Sequence, residues 1–574
     1  MVRSLSLALV LALSSAVVAS CSLVIDGNAE SCTADADCVN HPGKTLCDLE
    51  EGTCISPDTC STNAECGADE VCTFASPRKC RTLLAEHCGV IYPDDPGIYR
   101  DENALLIGLT APLTENGAAS STGVSILNSA KLAVDEINDA DGANGQRLLV
   151  LVVCDDTGDS NIAEVNGQAL TDMGIQAILG PAFSGQTLNM TKGTDDDPAD
   201  PADIASDGTV ARGVFNISSS ATSTEITGIK DKAPSCASEE DCPGLVWRTS
   251  PSDLIQGAAM VAYFPQLEVI AKNRVEPPRP KVKVVILHKG DSYGSNLANF
   301  VHENLLVNGG VLAISSPDVK NLDYGDTSAA ATPTPDADVI AEAIAFQADV
   351  YILIGTNELG TPLDAPTEPG VMQLIEEGWD DTTMDSKPYY LFADGGLIGE
   401  VANAATLTGA RSRVRGTVPG TIALSPTDPI GLYTGRYTQK FPDDEVGSPT
   451  VFGGAGAYDA VYLMAYAVAA ADGQPMTGEQ FARGMLRMSE SEPIEVGVGK
   501  FGTANNILQN DGSINFIGAS GPLDFNPVAG EAESDIQIWC LAASGQGQFS
   551  TLFYSAESAS MDGNNDAVGT CPFP

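Results

Sequence analysis

The most reactive-looking group in the chain is a short loop, Gly290-Asp291-Ser292-Tyr293-Gly294. Its Gly-x-Ser-x-Gly spacing falls between an apolar run at 282–287 and a helical pattern from 294, where a hydrolase would place its nucleophile elbow. A nucleophilic serine there needs a histidine to take its proton. Of the four histidines only His302 follows Ser292, ten residues on within the helix the elbow would start. It cannot fold back onto Ser292, so the loop is better suited to presenting Tyr293. Two other loops are rich in hydroxyls: Gly180-Pro181-Ala182-Phe183-Ser184-Gly185-Gln186-Thr187, and Ser218 to Glu225. Hydroxyls and free backbone N–H groups at a helix start suit a carboxylate, although any one Ser or Thr there could simply cap its helix. Asp562-Gly563-Asn564-Asn565-Asp566 begins like a calcium loop, but its twelfth position is Phe573 rather than Glu. The acidic run Asp195–Asp203 reads as a solvated charge run. No metal site and no cofactor are expected.

Cysteine chemistry is the second signal. The chain has 15 cysteines, ten of them before residue 90. Cys32, Cys38, Cys47 and Cys54 form one module and Cys60, Cys66, Cys72 and Cys80 another, each opening Cys-x5-Cys. Such short, polar segments cannot hold a core, so cross-links must stabilise them. Cys-x2-Cys pairs are absent and His41 is the only histidine within the modules, which argues against zinc. Three connectivities remain open for each module. Cys236 and Cys242 bracket a Ser/Glu-rich loop and are expected to close it. Parity and position suggest Cys88 with Cys154 and Cys540 with Cys571.

The elements that must position these loops follow from periodicity. Apolar strands are expected at 104–109, 148–153, 176–180, 213–217, 282–287, 311–315, 349–354 and 388–393. Helical patterns fall at 123–138, 162–173, 294–306, 337–346 and 368–378. Fully apolar strands alternating with helices mean parallel sheets covered on both faces. The run is too long for one sheet, and Pro251–Gly257 marks a crossing between two. Thr194–Asp207 and Pro317–Asp338 read as surface insertions. In such sheets ligands bind at the carboxyl ends of the strands, which is where the hydroxyl loops lie.

The compartment is legible too. Residues 1–20 hold Arg3, an apolar run from Leu5 to Val18 and a small-residue exit, the pattern of a secretory signal. Val18-Ala19-Ser20-Cys21 resembles a bacterial lipoprotein cleavage motif, with Cys21 carrying the lipid. The chain holds 29 Lys+Arg against 77 Asp+Glu, a formal charge of −48. A surface this acidic repels phosphate backbones and anionic headgroups, which excludes nucleic acid as a partner and leaves the lipid as the only membrane contact.

Residues 101–530 resemble the type I periplasmic binding proteins, in particular the leucine/isoleucine/valine-binding protein family. The resemblance rests on Ile107-Gly108-Leu109-Thr110-Ala111-Pro112-Leu113, Asn116-Gly117, Ala130–Asn138, Asp155-Asp156 and Ile178–Pro181. It continues through the Ser-rich loop 218–224, Trp247–Pro251, His288–Gly294, Tyr458-Asp459-Ala460 and Gly518–Phe525. It implies an α/β fold of two parallel-sheet lobes joined by three crossings, behind a disulfide-rich N-terminal segment. The expected boundaries are 1–20 for the signal, 21–90 for a Cys-rich stalk, 101–250 plus 425–485 for lobe 1 and 251–424 plus 486–574 for lobe 2. By motif, Ser184 and Thr222 match positions that bind a ligand carboxylate, Ser220 one that offers its backbone, and Tyr293 a residue that packs over the ligand. Asn116 and Thr356 stand where the family often has aromatics, which implies a more polar or larger ligand than leucine. The acid for an amino group should lie in 392–396; strict register falls on Gly395, one place after Asp394. The resemblance implies a lipid-anchored extracytoplasmic solute-binding protein, not an enzyme, that takes an amino acid or amide to an ABC permease. The alternative is a surface sensory or interaction receptor reusing the fold without transport.

Overall fold

The computed structural model describes residues 32–563 apart from 39–45, 49–51, 56–58, 74–77, 116, 195–203, 237–241, 329–333, 363–367, 380–386, 421–424, 443–445, 472, 543–544 and 546. The signal segment, Cys21, Asn116, the acidic run at 195–203 and Cys571 thus lie outside the described residues.

The chain first lays down Val90–Tyr92 (β1), Leu105–Ala111 (β2), Ser121–Asp139 (α1), Leu149–Asp155 (β3), Ser160–Asp172 (α2), Ala177–Leu179 (β4), Ser184–Lys192 (α3), Phe215–Ser218 (β5) and Val246–Arg248 (β6). It then crosses over and builds Asp253–Asn273 (α4), Val284–His288 (β7), Ser292–Asn304 (α5), Val319–Asp323 (β8), Ala337–Phe346 (α6), Val350–Ile354 (β9), Val371–Glu377 (α7), Tyr389–Phe392 (β10), Gly399–Thr408 (α8) and Val414–Pro419 (β11). After a second crossing come Pro429–Lys440 (α9), Gly454–Ala470 (α10), Gly478–Met485 (α11), Val498–Gln509 (α12), Phe525–Asn526 (β12) and Glu531–Ala532 (β13). A third crossing leads to Ile536–Leu541 (β14), Gly547–Ser555 (β15) and Ser560–Asp562 (β16).

Two eight-stranded sheets result, ordered β12-β13-β6-β5-β4-β2-β3-β1 and β8-β7-β9-β10-β11-β14-β15-β16. In the first, β2 to β6 and β13 pair in parallel; in the second, β7 to β11 do. Their strands are apolar because helices cover both faces: β2, β3, β7 and β9 are almost wholly buried. Several of the helices start where a polar side chain takes an orphan N–H. Ser120, Asp159, Ser252, Asp291 and Asp336 cap α1, α2, α4, α5 and α6.

Two expectations need correction. Residues 311–315 form a two-residue hairpin strand followed by a 3-10 turn, and the sheet edge is instead β8, inside the stretch read as an insertion. An edge strand has less to bury, and Lys320, Asn321 and Asp323 masked its pattern. Residues 486–532, expected in lobe 2, belong with lobe 1: β12 and β13 extend the first sheet, and Phe501, Leu508 and Phe516 join Tyr462 and Tyr466 of α10 in its core.

Both cysteine modules are disulfide-bonded with the same connectivity, first to third and second to fourth: Cys32–Cys47 and Cys38–Cys54, Cys60–Cys72 and Cys66–Cys80. Cys88–Cys154 and Cys236–Cys242 also pair, and Cys540 is disulfide-bonded. The second module is no free stalk. Val71 and Leu83 are buried with Leu106, Val150 and Ile178 of lobe 1, and Asn63 donates to the Arg100 carbonyl at 2.7 Å while Arg100 donates back to the Asn63 carbonyl at 2.7 Å.

Candidate functional site

The loops at the carboxyl ends of the two sheets face each other across a small cavity. Lobe 1 lines it with Thr122, Ser184, Ser220 and Thr222, lobe 2 with Asp291, Tyr293, Thr356 and Asp394. Apart from Asn116, the site residues expected from sequence thus come to one wall or the other of a single space.

On the lobe 1 side β4 ends in Gly180 at φ +101, where a Cβ would lie 2.1 Å from the Thr110 carbonyl oxygen. That close approach sets the loop that starts α3 at Ser184. The Ser184 hydroxyl accepts from the N–H groups of Thr222 (3.2 Å) and Ser223 (3.1 Å), tying α3 to the loop after β5. The Ser220 hydroxyl is committed to the Ala182 carbonyl at 2.7 Å, and its N–H reaches Ser218 Oγ at 3.4 Å. The Thr222 hydroxyl is different: it is buried and in hydrogen-bond geometry with no residue, although it lies close enough to Asp253 to favour that carboxylate's ionised form.

On the lobe 2 side Asp291 caps α5 by accepting from Gly294 N–H at 2.8 Å and pairs with Lys289 at 3.2 Å. Burial works against the Lys289 charge, but Asp291, Glu358 and Asp326 outweigh it and hold the lysine above its ordinary pKa. The loop presents Tyr293 as expected, and its hydroxyl donates to Asp394 Oδ1 at 2.5 Å. Ser292 Oγ makes no hydrogen bond, and His302 stands further along the same helix. At Gly395 a Cβ would fall 2.2 Å from the Gly355 carbonyl oxygen, so no side chain fits at the strict-register position. Asp394, one residue earlier, turns into the cavity instead.

Asp394 is 2% exposed, and burial pushes its pKa up to about 6 against the hydrogen bonds from Tyr293, Gly395 and Gln256. Asp253 at the start of α4 is also pushed up, by burial and then by Asp394, against Thr222 and Arg248. Arg248 does not simply neutralise it: its guanidinium donates to the Ser223 carbonyl at 2.8 Å and pairs with Glu531. The under-neutralised Asp394 on one wall of the cavity, facing the Ser184 and Thr222 hydroxyls and the start of α3 on the other, forms a polar gradient suited to a zwitterion.

Beside this cavity the lobes touch through Glu115, Ser120, Ser121, Asn357 and Glu400, which sequence reasoning missed. Thr356 gives its N–H (2.9 Å) and hydroxyl (2.7 Å) to Glu358. The neighbouring Asn357 donates across the cleft to Glu115 and, at 3.1 Å, to Ser120. Ser121 donates across it to Glu400 at 2.6 Å. Their one available signal was position beyond the carboxyl ends of β2, β9 and β10.

Residues 105–298 match the family described as periplasmic binding protein. The Leu/Ile/Val-binding protein BraC3 of Rhizobium johnstonii is 26% identical over 197 residues, 34% of this chain. The matched stretch spans 42% of that relative's length. Among solved structures, the leucine-binding protein LivK of Thermotoga maritima superposes with a TM-score of 0.54 at 17% identity, covering 79% of this chain and 100% of its own. The branched-chain amino acid substrate-binding protein LivJ of Streptococcus pneumoniae, in complex with isoleucine, gives 0.51 at 17% identity over 78% of this chain and 99% of its own. A solute-binding protein of Rhodopseudomonas palustris in complex with 3,4-dihydroxybenzoic acid gives 0.51 at 15% identity over 82% and 99%.

Proposed function

From the premise that the chain carries the two-lobed fold of the type I periplasmic binding proteins and is similar in sequence to their leucine/isoleucine/valine-binding family, we propose that it is a lipid-anchored extracytoplasmic solute-binding protein for a small amino acid or amide. The lipid sits on Cys21 and the captured solute passes to an ABC permease. The ligand's carboxylate takes the Ser184 and Thr222 hydroxyls at the start of α3, its ammonium takes Asp394 with Asp253 behind, and the Tyr293 ring packs over it. Closure of the lobes excludes water and strengthens each of these contacts.

One observation carries the reading: the buried, unpartnered Thr222 hydroxyl faces, across the cavity, the Tyr293–Asp394 pair of the other lobe. It also ranks ligands. The neighbour from Rhodopseudomonas palustris holds an aromatic acid, whereas the isoleucine in the Streptococcus pneumoniae protein carries an ammonium. Asp394 and Asp253 would repel a ligand that is only an anion and attract a zwitterion.

The test is calorimetric titration of amino acids, amides and organic acids. An amino acid or amide binds, and Thr222→Ala weakens it about 10- to 150-fold, as loss of a hydrogen bond to a charged group implies (about 1.5–3 kcal/mol). Asp394→Asn weakens it comparably, and binding to the wild type fades as pH falls below about 6. Binding confined to carboxylates without an amine, or insensitive to Thr222→Ala, defeats the proposal. One feature favours the receptor alternative: the second cysteine module, packed on lobe 1, adds surface that solute capture does not use. Intact binding without uptake by the source cell would select it.

A further inference from the structure

Behind Phe452, where the lobes are joined, lies a second chamber, larger than the first. All three crossings wall it: Thr249 and Pro251 of the first, Pro419 and Gly420 at the start of the second, Ser534 of the third. Leu397, Val418, Ile430, Phe452 and Phe549 make most of its surface apolar, and no charged side chain lines it among the described residues. Among the polar atoms of its lining residues, three are buried and without a hydrogen-bond partner: Ser219 Oγ, Thr249 Oγ1 and Gln537 Oε1. Their residues are 2%, 4% and 4% exposed. Buried polar atoms left unpaired are costly, and native proteins rarely gather several in one place without something to satisfy them. A largely apolar chamber with a few convergent polar groups is the usual form of a small-molecule site.

We propose that this chamber is a second binding site, distinct from the cleft, for an uncharged and mostly apolar small molecule carrying a hydroxyl, carbonyl or N–H group. The absence of lining charge argues against ions and zwitterions, and the free oxygens of Ser219, Thr249 and Gln537 fix the polar end of the occupant. Because the occupant touches every crossing, it bears directly on the hinge and couples to closure of the lobes by favouring whichever angle fits it. The inference stands on the chamber's geometry and not on what the cleft binds.

The probe is N-phenyl-1-naphthylamine, an uncharged aromatic amine that fluoresces in apolar surroundings. Titrated into the full chain, it should give a rise that saturates at one equivalent. Thr434→Trp, which fills the chamber from α9, and Ala455→Leu, which fills it from α10, should each weaken binding at least ten-fold. Thr222→Ala, which alters only the cleft, should leave it unchanged. Hydrogen exchange should show backbone amides of 249–252 and 533–535 gaining protection on binding. Weakening by Thr222→Ala with no effect of either filling variant would place the probe in the cleft and overturn the proposal. A rise that never saturates, or no rise at all, would reduce the chamber to a water-filled gap.

Discussion

Glu115 offers the sharpest electrostatic test of how the lobes meet. Burial raises its pKa from 4.5 to about 8; Ser120 and Lys289 oppose the rise, and Glu400 and Glu358 across the cleft add to it. The folded, closed protein therefore holds a proton on Glu115 that the unfolded or opened chain releases. Between 4.5 and about 8 the folded state binds more protons, so stability from this group is complete at the acid end and is lost as pH rises through about 8. At about 1.4 kcal/mol per pKa unit the full shift is a ceiling of about 5 kcal/mol. Solvent reaching the part-exposed side chain brings this to about 2 kcal/mol. Glu115→Gln keeps the shape and the acceptor for Asn357 while removing the titration. Urea unfolding of both proteins at pH 5, 6, 7 and 8 should show the wild type losing about 2 kcal/mol relative to the variant across that range, the variant becoming the more stable at pH 8. A constant difference, or one that moves the other way, would refute the reasoning, because neither is compatible with a carboxyl that the closed cleft keeps protonated.

Two further outcomes follow from packing. Glu376 accepts from Arg413 at 2.6 and 2.9 Å, from Tyr390 at 2.7 Å and from Lys387 at 3.1 Å. Glu376→Ala strands the buried Arg413 and should cost about 3–5 kcal/mol in denaturant unfolding of lobe 2. Burial works against the Glu376 charge, but the Arg413 hydrogen bonds outweigh it and keep its pKa below 4.5, so the pair's contribution is present above 4.5 and lost as pH falls. Cys88–Cys154 joins segments 66 residues apart and ties the entry strand to β3. The double variant Cys88→Ser, Cys154→Ser should lower stability by about 2–5 kcal/mol, read as a lower melting temperature; an unchanged one would show that β1–β3 pairing alone suffices.

Much of the architecture was legible because it depends on local rules. An all-apolar strand such as Leu149–Val153 has one interpretation once helices flank it, and the loops that follow such strands are where ligand-facing groups must lie. Ser184, Thr222, Tyr293, Thr356 and Asp394 were named by resemblance to the binding-protein family, and all five lie on such loops around one cavity. The ambiguity between Asp394 and Gly395 was settled by space, which sequence cannot show. β8 escaped because a polar edge strand resembles a loop. Residues 486–532 were assigned to the wrong lobe because the last crossing has no sequence mark, and only the pairing of Arg248 with Glu531 in neighbouring strands reveals it. Glu115, Asn357 and Glu400 are individually ordinary polar residues, and their meaning exists only when two distant segments meet.

That meeting also bounds how strongly the empty protein can hold itself shut. The lobes touch through Ser121 and Glu400, through Asn357 and the Glu115–Ser120 pair, through the Ser223 hydroxyl and the Ser292 carbonyl at 3.2 Å, and through Asn296 with Ser223 and Glu225 at 3.2 and 3.0 Å. All are polar, and each contributes about 0.5–1.5 kcal/mol net. Against them stands the cost of burying Glu115 beside Glu358 and Glu400 of the other lobe. The sum leaves closure without a large intrinsic bias, so a few kcal/mol of differential binding is enough to reverse it. An ammonium placed at Asp394 supplies that difference through a contact with a carboxylate that burial leaves under-neutralised. A ligand lacking positive charge supplies less of it. The acidity of the cleft is thus its selectivity: the buried carboxylates of lobe 2 favour closure on the ligand whose cationic group they can hold.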